Sequence, residues 1–272
     1  MDKLRVSKSL ILDWWKYKDG ELCGELFNKR YIERAELEEI TSDAMLAGQR
    51  FEYQTINSTL RGGVIPPIVT TSTGKPAAIQ NIVDVQTDRF LKFMKENGIE
   101  LVSSGVKLEV DMDKYILVGV VDGFLNIDGQ LSILEMKFTS MLNPVGWGKD
   151  SPYAYFTDRL KDNRIHMLQP RLYVLICKTH PDYGQALPFY YYIASSKMMY
   201  SAECVEVPVQ DSSIETLLTE IDEIVNDIEA TVNLGLEFNA LPEATRCSKC
   251  PAKAICNKKV DSVTIKRISH EN

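Results

Sequence analysis

The chain has 272 residues and a formal net charge of −7, from 31 basic and 38 acidic side chains. Its hydrophobic (44%) and charged (25%) fractions are those of a globular protein, which excludes a disordered chain and a small disulfide-stapled scaffold. No run approaches the ~20 apolar residues of a membrane helix, and the N-terminus lacks the apolar core of a signal peptide. We therefore expect a cytoplasmic protein whose thiols are reduced.

The acidic residues are unevenly distributed. Residues 203–237 hold ten Asp or Glu and no Lys or Arg, so the rest of the chain carries +3 once these ten charges are removed from −7. The whole-chain charge taken alone argues against a nucleic-acid partner. The distribution nevertheless leaves room for a local basic groove.

Helices and strands are mixed along the chain. Hydrophobic periodicity predicts helices over 7–18, 33–60, 84–97, 162–178 and 211–234, and β-rich runs predict strands over 100–110, 115–127, 130–139, 187–194 and 203–209. The segment 61–80, rich in Gly, Pro, Ser and Thr, predicts a loop. We therefore expect an α/β fold with a central mixed β-sheet flanked by helices.

Neither a repeat nor a linker divides the chain, so we expect a single domain over 1–272. Its expected parts are an N-terminal helical part (7–60), a core (100–209), a segment with the acidic helix and clustered cysteines (211–258) and a polar tail (259–272). The tetrad GKPA at 74–77 lacks the leading Gly and the Ser/Thr of a phosphate loop. This argues against an ATPase motor.

The most informative charges lie on a predicted hairpin. An Asp-Gly turn at 128–129 sets a register in which Asp122 faces Glu135 and Val120 faces Lys137. Because side chains alternate along a strand, Asp122, Glu135 and Lys137 share one face. Facing carboxylates, roughly 4.5–5.5 Å apart at Cβ, repel each other. A hard cation such as Mg²⁺, which prefers carboxylate oxygens and water, would turn that repulsion into coordination.

The same residues also fit a simpler structure. A structural ion pair of Lys137 with Asp122 or Glu135 could close the end of a sheet. A slip of one residue in the register would move Asp122 to the opposite face. From these residues alone the metal site and the ion pair both stay open.

Six cysteines are present, and three of them form a CxxC followed by one more thiol: Cys247, Cys250, Cys256. Close CxxC spacing in a cytosolic protein favours a metal, since both sulfurs reach one centre. Three thiolates leave a four-coordinate centre one ligand short, and Cys23 is the best candidate for the fourth. Zinc and iron–sulfur clusters both accept four thiolates, so spacing does not separate them. We expect the other two cysteines to be buried apolar side chains: Cys177, Cys204.

Asp122 and the run Glu135-Met136-Lys137 resemble the D…ExK core of the PD-(D/E)XK nuclease superfamily. The resemblance implies a restriction-endonuclease-like core. It also implies that Asp122, Glu135 and the backbone carbonyl of Met136 hold Mg²⁺ or Mn²⁺. Lys137 would then orient the attacking water or stabilise the transition state.

Two further motifs follow the order of the RecB-like branch of that superfamily. Gln169 and Tyr173, four residues apart on a predicted helix, resemble its QxxxY motif. The run from Gly48 to Glu52 resembles its first motif, with Glu52 where many relatives have His. The resemblance implies that Glu52 is a catalytic metal ligand, and that Gln169 and Tyr173 position the strand or support the ligands.

The cysteine arrangement resembles the iron–sulfur subgroup of that branch, which includes the CRISPR-associated iron–sulfur exonucleases and AddB-type nuclease domains. It implies a structural [4Fe–4S] cluster held by four thiolates, with Zn as the alternative: Cys23, Cys247, Cys250, Cys256. The implied partners are DNA, single-stranded or at its ends, and a helicase or a CRISPR or recombination protein. The implied setting is a bacterial, archaeal or phage-infected cell.

These resemblances imply a metal-dependent DNA exonuclease with a structural iron–sulfur cluster. Aromatic and basic residues interleaved over 147–161 also suit a single-strand channel, although ordinary core aromatics would give the same pattern. Two alternatives stay open. One is a non-catalytic DNA-binding or adaptor subunit that kept the fold, and the other is a Zn-stabilised structural module.

Overall fold

The computed structural model describes residues 3–38, 42–57, 68–139, 164–197, 202–241 and 243–259. The strands are β1 (Leu4–Val6), β2 (Glu100–Asp111), β3 (Tyr115–Ile127), β4 (Gln130–Thr139), β5 (Phe189–Ser195) and β6 (Ala202–Val207). The helices are α1 (Lys8–Lys18), α2 (Gly24–Phe27), α3 (Asp43–Glu52), α4 (Ala78–Glu96), α5 (Arg164–Thr179), α6 (Asp211–Asn233) and α7 (Ala244–Ser248). Both α2 and α3 continue into a π-helical turn, at Asn28–Ile32 and Tyr53–Asn57.

A mixed six-stranded sheet forms the centre of the fold. β3 pairs antiparallel with β2, parallel with β1 and antiparallel with β4. β4 then pairs in parallel with β5, and β5 pairs antiparallel with β6. The expected α/β architecture is therefore confirmed.

One edge of β3 contains a gap. β2 occupies the other edge from Ile116 to Asn126, so β1 and β4 must share this one. The β1 pairing ends at Leu117 and the β4 pairing begins at Gly123. Within the described ladders, residues 118–122 of this edge have no strand partner. We call this stretch the β3 gap, and Asp122 is its last residue.

The hairpin between β3 and β4 turns as its sequence predicts. Asp128 and Gly129 have φ values of 51° and 85°, and two positive φ angles are what a two-residue type I′ turn requires. The predicted register is confirmed in the paired residues, for instance Phe124 with Ile133.

The predicted pairing fails at the charged residues. The ladder ends at Gly123–Leu134, one pair before Asp122 and Glu135 would meet. From Glu135 onward β4 stays paired with β5 and is no longer paired with β3. Two predicted ladder pairs are therefore wrong: Asp122–Glu135, Val120–Lys137.

Apolar side chains cover both faces of the sheet. On one face α1, α5 and α6 contribute buried residues that include Leu10, Leu172 and Ile221. On the other face α3 and α4 contribute Phe51 and Phe90. Coverage on both sides explains why β3 is apolar at most positions.

Two helix boundaries differ from the prediction. The helix predicted over 33–60 is not helical at 34–38, because Arg34 has a φ of 53° and the Glu38 N–H donates to the Pro251 carbonyl at 3.0 Å. The helix predicted over 84–97 begins earlier, at Ala78.

Part of the predicted loop, residues 61–67, lies outside the described residues. Among the helices described, none is long and apolar enough to cross a membrane.

Helix α5 packs tightly against β3 at Gly119. A Cβ at this position would lie 2.9 Å from Cε1 of Tyr173 and 3.1 Å from Cδ1 of Ile176. Tyr173 cannot move aside freely, because its hydroxyl donates to the Val120 carbonyl at 2.8 Å. Glycine at 119 is therefore required for α5 to pack beside the β3 gap.

We expect Gly119→Ala to lower the free energy of unfolding by about 1–3 kcal/mol, the usual range for overpacking a core. Urea denaturation measures this. Gly48→Ala is the matched control, since a Cβ at Gly48 would meet nothing within 4 Å. As a substitution inside a helix it should keep or raise stability, by up to about 1 kcal/mol. Equal urea midpoints for Gly119→Ala and the unsubstituted protein would contradict the close packing.

Candidate active site

The side chain of Asp122 bridges the strands where the ladder stops. Its Oδ2 accepts a hydrogen bond from the backbone N–H of Met136 at 2.8 Å. A side chain thus replaces the missing ladder bond and keeps β4 beside β3. We call this place, where β1 and β4 separate along one edge of β3 next to Asp122, the fork. Because Glu135 precedes Met136, the bond also brings the second carboxylate to the fork. The structure therefore places the two predicted carboxylates together, although not as ladder partners.

Three carboxylates influence one another at the fork. Burial raises the pKa of Asp122 well above its ordinary value, and the negative charges of Glu135 and Glu52 raise it further. Glu52 is the last residue of α3, directly before a π-helical turn, a feature that often marks functional sites. The structure thus brings Glu52 to the site, as the motif predicted.

Lys137 projects into the same site. Its Nζ lies 2.5 Å from Oε1 of Glu135 and donates to Oε1 of Gln169 at 3.0 Å. Gln169 is buried in the first half of α5 and presents its amide oxygen to the fork. The predicted Lys137 and Gln169 therefore meet in one hydrogen-bond network with Glu135.

Glu135 has an acceptor that the protein does not use. Its side chain is buried, and within the described chain Oε2 has no hydrogen-bond partner. A buried carboxylate oxygen without a hydrogen-bond donor lowers the stability of the fold, and a bound cation would offset this loss. Asp122 and Glu135 fit Mg²⁺, which usually binds through one or two carboxylates and keeps several waters. As placed, no three His, Cys, Asp or Glu side chains of the described residues are arranged to hold a metal ion together.

Tyr173 is nearly buried behind the β3 gap. Its hydroxyl donates to the Val120 carbonyl, an acceptor that has no strand partner on this edge of β3. Burial and the charges of Glu135 and Asp122 raise the pKa of Tyr173. The hydroxyl therefore remains a neutral donor. The structure shows it supporting the gap, and contact with a substrate stays a prediction.

Lys8 is a site residue that the sequence did not indicate. It is the first residue of α1, and its Nζ donates to Oε1 of Gln169 at 2.9 Å, the oxygen that also binds Lys137. The N-cap of this helix, Ser7, could be recognised from sequence. Lys8 and Gln169 are 161 residues apart in the sequence, so no local pattern indicates that Lys8 reaches the fork.

A groove of about 450 Å³ adjoins the fork. We call it the β3 groove, and it is lined by the β3 gap, the start of α1 and basic side chains: Arg5, Ser7, Lys8, Ser9, Lys107, Val118, Gly119, Val120, Tyr173. Val120 is 52% exposed and forms an apolar patch in its floor. The groove therefore combines basic side chains with an exposed apolar residue, and Lys8 links it through Gln169 to Lys137.

The four clustered cysteines line one cavity: Cys23, Cys247, Cys250, Cys256. Burial raises the pKa of the Cys250 thiol, and the charges of the other three cysteines raise it further. Cys23 thus lines the same cavity as the other three cysteines, and its role as a fourth ligand stays a prediction. All six cysteines of the chain are free thiols.

The chain segments around this cavity are tied together by backbone contacts. The Gly24 N–H donates to the Asn239 carbonyl at 2.9 Å, and a Cβ at Gly24 would lie 2.5 Å from that oxygen. The Leu241 N–H donates to Sγ of Cys23 at 3.2 Å. Glycine next to Cys23 thus lets the segment after α6 lie directly against α2.

The remaining cysteines behave as the sequence predicted. Cys177 is fully buried in α5, and Cys204 on β6 is partly buried. Burial raises the pKa of each thiol to about 12. The predicted single-strand channel at 147–161 lies outside the described residues.

An α/β sheet with two carboxylates and a lysine at a fork between strands defines a nuclease-type core. A family model described as the PD-(D/E)XK nuclease superfamily matches residues 72–257. The chain belongs to this superfamily. No curated protein matches the chain significantly.

Three solved structures resemble the chain at low sequence identity. A candidate exonuclease from Eubacterium rectale is 19% identical, with a TM-score of 0.60 over 98% of this chain and 92% of that one. LHK-Exo in complex with dAMP is 11% identical, with a TM-score of 0.46 over 84% and 90% of the two chains. SSO0001 is 16% identical, with a TM-score of 0.30 over 68% and 73%. The first of these shows a shared fold, and the other two similarities are too weak to do so.

The raised pKa of Asp122 makes a prediction about stability. Below about pH 3.9, the ordinary pKa of Asp, the carboxyl is protonated in both the folded and the unfolded chain. It then does not lower the free energy of unfolding. Above its folded pKa the ionised group destabilises the fold. Asp122→Asn keeps an acceptor for Met136 and removes this charge. In EDTA it should melt a few degrees above the unsubstituted protein near pH 7, and the difference should shrink towards pH 4.

Thermal melting across pH measures this effect. Asp88→Asn, at an exposed position on α4, is the control and should melt like the unsubstituted protein. Added Mn²⁺ should raise the melting temperature of the unsubstituted protein more than that of Asp122→Asn, because a ligand of the folded state stabilises it. A lower melting temperature for Asp122→Asn at neutral pH would contradict the electrostatic description.

Proposed function

We propose that the chain is a Mg²⁺- or Mn²⁺-dependent DNA exonuclease that hydrolyses phosphodiester bonds at the β3 gap. The observation that carries the proposal is the meeting of Asp122, Glu135 and Lys137 at one fork in the sheet. Carboxylates suit a hard cation, and an ammonium group stabilises negative charge that develops on a phosphate. Membership of a nuclease superfamily supports the same chemistry.

The carboxylates hold the metal in this proposal. Asp122, Glu135 and the Met136 carbonyl would bind it, with Glu52 contributing from the end of α3. When bound, Mg²⁺ or Mn²⁺ supplies a water of lowered pKa and neutralises charge on the phosphate. The hydrogen bond from Met136 to Asp122 keeps these ligands on adjacent strands before substrate arrives.

The neighbouring polar residues position the reacting groups. The ammonium group of Lys137 would donate a hydrogen bond to the attacking water or to a phosphate oxygen. Glu135 and Gln169 fix that ammonium from two sides, at 2.5 and 3.0 Å. Tyr173 would keep the β3 gap accessible to the strand by binding the Val120 carbonyl.

The β3 groove supports DNA as the substrate. Its basic walls match a phosphate backbone and its apolar floor matches sugar or base edges. The Eubacterium rectale protein of the same fold, a candidate exonuclease, supports action at strand ends. The QxxxY and cysteine patterns favour the RecB-like branch. We propose that the chain acts alone or with a separate helicase or a CRISPR or recombination partner.

We further propose that the four cysteines hold a structural [4Fe–4S] cluster, with Zn as the alternative. Their convergence on one cavity supports four thiolate ligands. The cavity is also basic, since Arg246, Lys253 and Lys258 line it. Within the described chain, one guanidinium nitrogen of Arg246, Nη1, is buried without a hydrogen-bond partner. A cluster carrying net negative charge on its sulfurs would give this N–H an acceptor.

Lys137→Ala tests the nuclease proposal. We expect cleavage of end-labelled DNA in Mn²⁺ to fall at least about 100-fold, because transition-state charge loses a donor. The variant should still fold and bind DNA, with a lower melting temperature because the buried Glu135 loses its ammonium partner, so cleavage is compared where both proteins are folded. Lys114→Ala, at an exposed position between β2 and β3, should cleave normally.

Two outcomes would contradict the nuclease proposal. Cleavage that survives Lys137→Ala would assign the activity to another site or a contaminant. DNA binding by the unsubstituted protein without cleavage in Mn²⁺ or Mg²⁺ would indicate the non-catalytic adaptor instead.

Cys250→Ala tests the cluster proposal. Protein purified without oxygen should be brown and contain iron and sulfide, and Cys250→Ala should lose both because one of four ligands is gone. Cys204→Ala is the matched control and should keep the colour, since Cys204 lies on β6 away from the cavity. A colourless protein that contains stoichiometric zinc would contradict the cluster proposal and indicate a zinc site instead.

A further inference from the structure

We propose that Lys8 binds a backbone phosphate of the DNA strand in the β3 groove, and is thus a substrate-binding residue of the site. This inference deepens the proposed nuclease function and rests on it. The argument uses the partners of Lys8, its electrostatic surroundings and its place in the groove.

Among the residues that the structure describes, Lys8 has no anionic partner of its own. In the described part of the chain it makes no ion pair, and its hydrogen bond goes to the neutral amide oxygen of Gln169. The other cations that line the groove differ in this respect, since Arg5 and Lys107 both pair with Glu109. Lys8 is therefore the groove cation, among those described, whose ammonium lacks a carboxylate.

The surroundings of Lys8 are unfavourable for a lone cation. Burial lowers the pKa of Lys8, and the positive charge of Lys137 lowers it further, against smaller contributions from Glu135 and Asp122. Both ammonium groups donate to one oxygen of Gln169, at 2.9 and 3.0 Å. Lys137 also has Glu135 as a charged partner, whereas Lys8 has only this shared neutral acceptor, so a phosphate oxygen would give the Lys8 ammonium the charged acceptor it lacks.

The position of Lys8 identifies that anion. Lys8 lines the β3 groove and also reaches the network of Lys137 and Glu135. A phosphodiester entering along the groove would pass Lys8 immediately beside the carboxylates. A phosphate oxygen accepts a charge-assisted hydrogen bond from an ammonium group, which is stronger than the bond to a neutral amide.

A purely structural role is the competing explanation. In that case Lys8 would merely hold Gln169, and through it Lys137, in place. The two roles differ in salt dependence, because each phosphate neutralised by a cation releases counterions. Losing one such contact to single-stranded DNA should reduce the slope of log K against log salt by about 0.7.

The test is binding of a fluorescein-labelled single-stranded oligodeoxynucleotide in EDTA over a series of salt concentrations. Lys8→Met should bind about tenfold more weakly at low salt, with the reduced slope. Lys8→Arg should keep most of the affinity and the full slope. Lys16→Met, on an exposed position of the same helix, is the matched control and should leave both unchanged.

Gln169→Leu separates the two roles further. It removes the shared oxygen but leaves the ammonium of Lys8, so the slope should stay that of the unsubstituted protein. An unchanged slope in folded Lys8→Met, with slower cleavage in Mn²⁺, would overturn the proposal and leave Lys8 a support for Gln169. If Lys8→Met does not fold, Lys8→Gln is measured in its place. Failure of the unsubstituted protein to bind or cleave DNA would instead refute the proposed function.

Discussion

The fork between β1 and β4 on one edge of β3 determines where every proposed active-site group lies. Each of these strands pairs with a different end of β3, so the middle of this edge has no strand partner in the described ladders. Asp122 compensates part of the loss by accepting the Met136 N–H, and Tyr173 compensates another part by donating to Val120. The site therefore occupies a place where backbone groups are satisfied by side chains rather than by a neighbouring strand.

This constraint links packing to chemistry. Helix α5 supplies both Gln169 and Tyr173, and it comes close enough because residue 119 has no side chain. Helix α3 supplies Glu52 from the opposite face of the sheet, where Phe51 is buried in the second core. Elements from both sides of the sheet thus converge on the fork, which is an ordinary way for an α/β fold to build a site from distant segments.

Much of the fold and part of the site could be predicted from the sequence, because the signals were local. The Asp128-Gly129 turn determined the register of the hairpin, and alternating apolar residues gave the strands. Where the ladder ends could not be predicted, because it depends on β1 and β5 pairing with β3 and β4 over long distances in sequence. The same limit applies to Lys8, whose partner Gln169 is 161 residues away.

The cysteine cavity combines a local signal, which the sequence shows, with a long-range contact, which it does not. CxxC spacing grouped three thiols locally, and the count of four ligands for one centre made Cys23 the candidate for the fourth without showing how it reaches the others. The contact of Gly24 with Asn239, which brings that thiol to the others, has no sequence signature. The break of the predicted helix at Arg34 is of the same kind, since Glu38 is held by Pro251 of the cysteine segment.

The charges at the fork have a consequence for how metal and DNA would bind together. With all groups ionised, Glu52, Asp122 and Glu135 outnumber Lys8 and Lys137 by one negative charge. A divalent cation alone would leave a positive excess, and a phosphodiester alone would deepen the negative one, whereas both together bring the site to neutrality. Each should therefore strengthen the affinity for the other, a reciprocal linkage that follows from electroneutrality alone.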